Sequence, residues 1–295
     1  MMDMPRTIYE VARKEVLQHI RTKRLLIIGL AMALLLLVAT LVFGPNITHA
    51  FTGPQPSSRE NTVLAFYFGF GLIGGLVFTQ LLAIVLTTDA VCSEWSNRTI
   101  FLLLSKPVSR TAFVLGKFLG NVAVLASTIL VLFGLDYLLM QPLYPGSPDG
   151  AEVGGFLLTV LLVILGCVAW ASIALFFSSL TKSTIMSTLL TLAMWIIVFP
   201  LVGSMGLFTH IGEQGVNLDS PKVQATLYFN PSSDMQAVIK LLLPHDNGDF
   251  RDALRFLNFF NPAPNHVEWA VLALVAYTVV FLTASVLVVQ RRNFE

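Results

Sequence analysis

Six long apolar stretches run through this sequence of 295 residues, and each is long enough to cross a lipid bilayer as a helix. A bilayer core about 30 Å thick needs roughly 20 apolar residues per helical span. The stretches are residues 25–43, 63–90, 118–140, 153–177, 185–208 and 267–289. Only 12% of all residues are charged, far below the share found in soluble domains. Because backbone polar groups in lipid must bond within the protein, such stretches are expected to be helical. The sequence therefore predicts an all-α membrane protein with six transmembrane helices.

Basic residues are distributed unequally between the two sides of these predicted spans. They cluster before span one, after spans two and four, and at the carboxyl end, as Arg6, Arg13, Lys14, Arg21, Lys23, Arg24, Arg98, Lys106, Arg110, Lys117, Lys182, Arg291 and Arg292. Because Lys-rich and Arg-rich short loops stay in the cytoplasm, both termini are expected there, in a plasma (inner) membrane. The expected organisation is an N-terminal helix in residues 1–24, a transmembrane domain in residues 25–290 and a cytoplasmic tail in residues 291–295.

The N-terminal segment, residues 6–24, has the pattern of an amphipathic helix. Its apolar side consists of Ile8, Val11, Ala12, Val16 and Ile20, and charged residues occupy the other side. Such a helix is expected to lie at the cytoplasmic membrane surface. Its basic residues can attract anionic headgroups, contact a cytosolic partner, or do both.

The loop of residues 94–107 is a long cytoplasmic insert between two strongly apolar segments. Apolar residues recur in it at helical spacing between flanking charges, as Glu94, Arg98, Ile100, Phe101, Leu103, Leu104, Lys106 and Arg110. Pro107 disfavours helix at the preceding residue, so a short helix is expected to stop there. Ser109 is then expected to cap the next helix, beginning near Arg110. A short helix held crosswise between two spans can touch a cytosolic protein and pass its movement to both spans.

Several segments of the chain resemble the ABC-2 type permeases, the membrane subunits of ABC exporters. The segment LLSKPVSR followed by LGKFLG resembles the family's loop after span two, and ARKEVLQHIRTKRLL resembles its amphipathic N-terminal helix. LFFSSLTKSTIMS resembles the loop between spans four and five, and the closing QRRNF is also typical. In one place the chain departs from the pattern. Many members carry Glu-x-x-x-Gly-Thr, and here Glu94 is followed by Asn97-Arg98-Thr99 without the glycine.

The resemblance implies that this chain assembles with other subunits that have different functions. Two permease copies, expected to be a homodimer, would pair with two cytoplasmic ABC ATPase subunits that hold ATP and magnesium, and this chain itself would hold no cofactor and no nucleic acid. A coupling helix of about residues 94–107 and the N-terminal helix would contact the ATPase through Glu94, Arg98, Ile100, Phe101, Leu104, Lys106, Pro107, Arg13 and Lys14. The loop between spans five and six would form an external gate. The substrate, the ATPase and the choice between homodimer and heterodimer stay open.

Two glycine pairs with four-residue spacing are expected to mark close helix packing. These are Gly71 with Gly75 in span two and Gly116 with Gly120 at the start of span three. Glycines at this spacing let helix backbones approach closely in membranes. Gly69 to Gly74 also match a dinucleotide-binding pattern, but they lie in an apolar span without a preceding strand. Whether the packing partners belong to this chain or to a second copy stays open.

Ionisable residues within the predicted spans are few. Asp89 lies near the inner end of span two and Asp136 near the outer end of span three, and no carboxylate is expected at mid-membrane. That absence weakens the case for a proton-coupled secondary transporter. Pro200 is expected to kink span five.

The loop of residues 209–266 is the longest external region of the predicted topology. Residues 235–243 and 252–260 are expected to form short amphipathic helices, with Ser233 as a plausible cap, resting on the outer leaflet or on the ends of the spans. Four of the five histidines are expected on this side, as His49, His210, His245 and His266. Their spacing matches no metal-ligand motif, so no metal site is expected.

Motifs of ATP-binding and hydrolytic enzymes are absent from the sequence. It contains no GxxxxGK[ST], no HExxH and no GxSxG. We therefore expect no enzymatic activity in this chain and expect ATP hydrolysis, if it drives transport, on another polypeptide. Two other hypotheses stay open, namely a membrane-embedded anchor or sensor and a lipid-facing membrane enzyme.

Overall fold

A computed structural model describes residues 4–22, 27–34, 37–38, 77–96, 109–140, 150–209, 211–212, 215–216, 221–240 and 264–291. Its helices are α1 (Met4–Arg21), α2 (Thr79–Thr87), α3 (Cys92–Ser96), α4 (Arg110–Met140), α5 (Gly150–Leu180), α6 (Thr184–Ala193), α7 (Phe199–Thr209), α8 (Pro221–Leu227), α9 (Pro231–Lys240) and α10 (Val267–Arg291). Residues 27–34 and 37–38, inside predicted span one, are helical as well.

Within the described residues, four segments are long and apolar enough to cross a membrane, and they agree with predicted spans three to six. They are Arg110–Leu135, Leu157–Leu180, Thr184–Gly203 and Val267–Arg291. The predicted helical membrane fold is therefore confirmed. The count of six stays a prediction, because about half of spans one and two lies outside the described residues.

Span three begins eight residues earlier than its apolar stretch suggested, and its first turn explains why. The backbone N–H of Ala112 donates to Ser109 Oγ at 3.2 Å, and that of Phe113 donates to the Ser109 carbonyl at 3.0 Å. The predicted cap at Ser109 is thus confirmed. Capping the exposed end lets α4 extend beyond the apolar stretch, with its first turn at Arg110.

Span four lies at the centre of the packing. In Leu157–Leu180, 61% of the most apolar window is buried, against 44%, 17% and 11% in the other three spans. Trp170 of this span is fully buried. Its ring meets Phe199 edge-on at 5.5 Å between centroids, and Phe199 meets Tyr277 in the same way at 5.8 Å. This aromatic chain joins spans four, five and six.

Span five departs from α-helical geometry just before its proline. Met194–Val198 form a π-helical turn between α6 and α7. Pro200 has no backbone N–H to donate to the carbonyl four residues earlier, so a local rearrangement of the ladder is expected there. The π-helical turn is the change observed beside Pro200, and the kink of the helix axis stays a prediction.

The outer loop contains two elements that the sequence did not predict. One is the helix Pro221–Leu227, and the other is a minimal antiparallel pair of strands, Ile211–Gly212 with Gly215–Val216. These strands are a small departure from the all-α prediction. The helix predicted at residues 235–243 exists but begins earlier, at Pro231. The one predicted at residues 252–260 lies outside the described residues.

The cap of α9 corrects the prediction of Ser233. Asn230 Oδ1 accepts a hydrogen bond from Ser232 N at 3.1 Å, and the Asn230 carbonyl accepts from Ser233 N and Asp234 N. Asn230 is therefore the cap, and Pro231 occupies the first helical position, where a missing N–H costs nothing. Ser233 lies inside the helix.

The predicted orientation can be tested with a pair of exposed positions. A cysteine in place of Asn265, before span six, should react with a membrane-impermeant thiol reagent on intact cells. A cysteine in place of Ser183, between spans four and five, should react only after permeabilisation. Both positions are exposed in the structure, so burial would not explain a difference. Labelling of Ser183→Cys in intact cells, without labelling of Asn265→Cys, would reverse the assigned orientation.

Candidate functional site

The N-terminal helix α1 docks on the first turns of span three at two glycines. A Cβ added to Gly116 would lie 2.6 Å from Val11 Cβ and 2.9 Å from the Ile8 carbonyl oxygen. One added to Gly120 would lie 2.7 Å from Glu15 Cβ. These separations are shorter than a side chain tolerates, so glycine is what permits the contact. The packing partner of this pair is thus a helix of the same chain, whereas Gly71 and Gly75 lie outside the described residues.

Docking of α1 forms a cluster of four charges near the first turns of span three, and three of the four are buried. Lys117 Nζ donates to Glu15 Oε2 at 2.8 Å and lies 3.3 Å from Glu94 Oε1. Lys14 Nζ is also 3.3 Å from Glu94 Oε1. The side chains of Lys117, Glu15 and Glu94 are 2%, 5% and 8% exposed, and that of Lys14 is 51% exposed. Two positive and two negative charges compensate one another, as buried charges require.

A second polar contact continues this cluster one turn further along both helices. His19 Nε2 and Asn121 Oδ1 are 2.9 Å apart, and Asn121 Nδ2 donates to the Lys117 carbonyl at 2.9 Å. Glu15 and His19 are four residues apart on α1, as Lys117 and Asn121 are on α4, so both pairs lie on facing stripes. The interface between the two helices therefore combines polar contacts with the close contacts at Gly116 and Gly120.

The orientation of α1 corrects part of the sequence interpretation. The predicted apolar side is partly right, since Val11 and Ala12 pack toward α4. Ile20, assigned to the same side, is instead 64% exposed, and the polar residues Glu15 and His19 are buried. The buried stripe follows the complementary residues of α4 rather than hydrophobicity alone.

A serine of span four fixes the inner end of span two, immediately before Glu94. Ser178 Oγ accepts hydrogen bonds from Val91 N at 3.0 Å and from Cys92 N at 3.1 Å. Thr188 lies at the start of span five, and its Oγ1 donates a hydrogen bond to Thr88 Oγ1 at 3.1 Å. These contacts hold the turn between α2 and α3, and α3 carries Glu94 into the charge cluster. Neither Ser178 nor Thr188 was predicted to have a functional role.

The structure places three of the residues predicted to contact a partner protein. Glu94 is buried in the cluster, and Lys14 is brought to it from α1. Arg13 is exposed and lines a groove on the outward side of α1 with Glu10, Lys14, Leu17, Gln18, Arg21 and Thr22. The other predicted partner contacts lie outside the described residues; they are Arg98, Ile100, Phe101, Leu104, Lys106 and Pro107. Sequence reasoning missed Glu15, His19, Lys117 and Asn121, although their matched four-residue spacing was visible.

A second buried polar cluster joins span two, span five and helix α9 of the outer loop. Gln80 of α2 is fully buried. Its Oε1 accepts from Trp195 Nε1 at 2.5 Å and from Ser232 Oγ at 2.8 Å, and its Nε2 donates to Met235 Sδ at 3.2 Å. The outer-loop helix thus packs among the spans rather than on the outer leaflet.

Helix α9 also carries a buried carboxyl that the sequence analysis missed. Asp234 is 0% exposed, although its position in an external loop suggested contact with water. Asp89 lies in the turn after α2, and the side chain of Asp136 is outside the described part of the chain. Asp234 is thus a buried carboxyl beside the spans that was not identified from the sequence, and the expectation of no carboxylate at mid-membrane stays a prediction.

Metal ligands do not come together in the part of the chain that the structure describes. No group of three His, Cys, Asp or Glu residues there could hold an ion. Of the outer histidines, His49, His210 and His245 lie outside that part. The prediction of no metal site stays a prediction for them.

Apolar spans long enough to cross a bilayer, joined to helix α1 by buried charges, define a helical membrane protein. Residues 9–294 match the family model described as ABC-2 family transporter protein, so the chain belongs to that family. The family is one of transporter membrane subunits rather than of catalytic enzymes.

Two curated relatives are similar to about half of this chain. One is described as a probable ABC transporter permease protein NosY of Pseudomonas aeruginosa, 32% identical over 164 residues, which are 55% of this chain and 56% of the relative. The other has the same description, from Stutzerimonas stutzeri, and is 30% identical over 148 residues, 50% of this chain and 49% of the relative. The chain therefore spans about half the length of the curated relatives it matches.

Proposed function

We propose that this chain is the permease subunit of an ATP-driven exporter in the inner membrane. A separate cytoplasmic ATPase would bind ATP and magnesium, and a second permease copy would complete the path through the bilayer. Both termini would be cytoplasmic. Membership of the ABC-2 transporter family and similarity to two proteins described as probable ABC transporter permeases support this proposal.

The observation that carries the proposal is the position of Lys117. This side chain lies at the start of span three and bonds at once to Glu15 of α1 and Glu94 of α3. Helix α3 is the last described element before residues 97–108, which contain most of the predicted coupling helix. A movement of that loop would therefore displace span three and α1 together, because buried ion pairs join both helices to α3 and are costly to separate.

The outward side of α1 offers a second surface for the same partner. Its groove combines basic Arg13 and Arg21 with acidic Glu10 and the apolar side chain of Leu17. A mixed surface of this kind suits a protein partner, whose charges can set orientation while an apolar contact contributes affinity. Because α1 is packed against span three and bonded to it by an ion pair, a partner that binds this groove would move α1 and span three together.

Replacing Phe101 with alanine tests the coupling role of the loop. As a predicted apolar anchor in a pocket of the ATPase, Phe101 should contribute at least about 2 kcal/mol, so Phe101→Ala should weaken ATPase association roughly 30-fold or more. Glu94→Ala is a poorer test, because Glu94 is buried and its loss would disturb the fold. The measurement is co-purification of the ATPase with the tagged permease, together with ATP-dependent export.

The matched control is Phe229→Ala, which removes a phenylalanine that is 58% exposed in the outer loop. It should retain both association and export. Normal association and export in Phe101→Ala would contradict the coupling assignment. If no ATPase co-purifies with the unmodified chain, the hypothesis of an anchor or sensor gains support instead.

A further inference from the structure

We propose that Asp234 is a proton-binding site, and that its occupancy determines whether helix α9 stays packed among spans four and six. This inference concerns the outer face and is independent of the proposed coupling to an ATPase. Among the described residues, it rests on the burial of α9, on the lack of hydrogen-bond partners for the side chains of Asp234 and Gln236, and on the absence of a cation near Asp234.

Helix α9 is inserted closely against its neighbours. A Cβ added to Gly166 of span four would lie 2.6 Å from Met235 Sδ, so the methionine occupies the space above that glycine. Ala237 packs with Ala270 of span six in a small apolar cluster. Residues Ser233 to Ala237 are all no more than 2% exposed. The helix is therefore enclosed by protein on both sides of Asp234.

Two polar side chains of α9, those of Asp234 and Gln236, are poorly satisfied in this position. Neither carboxyl oxygen of Asp234 has a hydrogen-bond partner among the described residues, and neither side-chain polar atom of Gln236 has one there. Buried polar atoms without partners each cost about 1–3 kcal/mol. The packed position of α9 is thus held by apolar contacts and opposed by its own polar groups, which favours a helix that can leave.

No described cation is placed to balance a charge on Asp234. Span four has no charged side chain in Leu157–Leu180, and its titratable Cys167 is a buried neutral thiol. Span six has charges only near its ends, at Glu268 and Arg291, and presents the phenol of Tyr277. Helix α2 presents only neutral side chains such as Gln80.

The remaining neighbours complete this electrostatic picture. The loop adds the phenol of Tyr228, which donates to the His266 carbonyl at 3.3 Å. Lys222 of helix α8 is exposed. Among the described residues, the titratable groups closest to the carboxyl are therefore phenols, which are neutral at physiological pH. Without a cation to compensate it, a buried carboxyl holds a proton.

Proton binding and the position of α9 must then be linked. Burial raises the pKa of the Asp234 carboxyl from its ordinary value of 3.8 to about 9. If α9 withdraws into water, the pKa returns to the ordinary value. The proton therefore stabilises the packed position, fully below pH 4 and progressively less as the pH rises toward 9. Within this window the ratio of withdrawn to packed α9 increases by up to about tenfold per pH unit.

Thiol labelling of Ser233→Cys tests this linkage in the full-length permease. The variant is prepared without Cys92 and Cys167, reconstituted in lipid nanodiscs without ATPase or nucleotide, and labelled between pH 5.5 and 8. Rates are divided by those of Phe229→Cys, an exposed position that corrects for thiolate formation. The normalised rate should rise with pH by up to about tenfold per unit. Adding Asp234→Asn, which keeps the size but cannot ionise, should make it slow and independent of pH.

Hydrogen exchange of the α9 backbone provides a second readout that needs no cysteine. After correction for intrinsic exchange, protection of residues 231–240 should fall with rising pH in the unmodified chain and stay constant in Asp234→Asn. The proposal would be overturned if neither the normalised labelling rate of Ser233→Cys nor the hydrogen-exchange protection of the unmodified chain changed with pH. So would the same pH dependence in Asp234→Asn. Because ATPase is absent, neither outcome depends on the proposed transport function.

Discussion

Replacing Lys117 with methionine should destabilise the permease by about 3–5 kcal/mol, because two buried carboxylates then lose their shared cation. Methionine matches the length of the lysine stem and fills the space on α4, so the loss is electrostatic rather than steric. In this variant Glu94 would still have a cation nearby, because Lys14 Nζ lies 3.3 Å from Glu94 Oε1. Glu15, 5% exposed, has no other cation within bonding distance among the described residues. Most of the expected loss of stability therefore comes from the uncompensated charge of Glu15.

Thermal unfolding of the detergent-solubilised protein measures this loss. Lys14→Met is the matched control, since Lys14 contacts the same cluster but its side chain is half exposed. An exposed ion pair contributes no more than about 1 kcal/mol. Combining Lys117→Met with Glu15→Gln and Glu94→Gln should restore much of the stability by removing the uncompensated charges. If Lys117→Met unfolds at the same temperature as Lys14→Met, the buried cluster does not stabilise the fold.

Features of this fold that depend on local sequence could be predicted. The long apolar stretches identified spans three to six, and Ser109 identified the start of span three. The spacing of Gly116 and Gly120 indicated a close helix contact. Each of these depends on length, on a capping side chain or on residues one turn apart, all of which the sequence displays directly.

Features that depend on distant partners could not be predicted from local sequence. His19 and Glu15 look like exposed residues on a helix, because their partners Asn121 and Lys117 lie 102 residues away. Asp234 follows a proline in an external loop and so suggested hydration, yet packing against two spans buries it completely. Hydrophobic periodicity identifies apolar faces, but it carries no information on polar stripes that match each other across a fold.

Substituting both Gly116 and Gly120 with alanine should detach α1 from span three. The new Cβ atoms would lie 2.9 Å from the carbonyl oxygens of Ile8 and Ala12, and backbone atoms in a helix cannot move aside individually. Helix α1 must therefore shift as a unit, which also separates Glu15 from Lys117. Overpacking of this kind costs about 1–3 kcal/mol per site, so the population of undocked α1 should rise roughly tenfold or more.

Limited trypsin digestion measures this population, because α1 loses the packing that keeps it helical once it leaves span three, and trypsin cleaves at Arg13 and Lys14 only in an unwound chain. The control is Gly134→Ala on the same helix, where an added Cβ meets nothing within 4 Å. Alanine is a better helix former than glycine by about 1 kcal/mol, so the control should leave digestion unchanged or slow it. The same preference works against the expected result at Gly116 and Gly120. Faster digestion there must then come from the clash with α1, and unchanged digestion would show that the two glycines do not determine its docking.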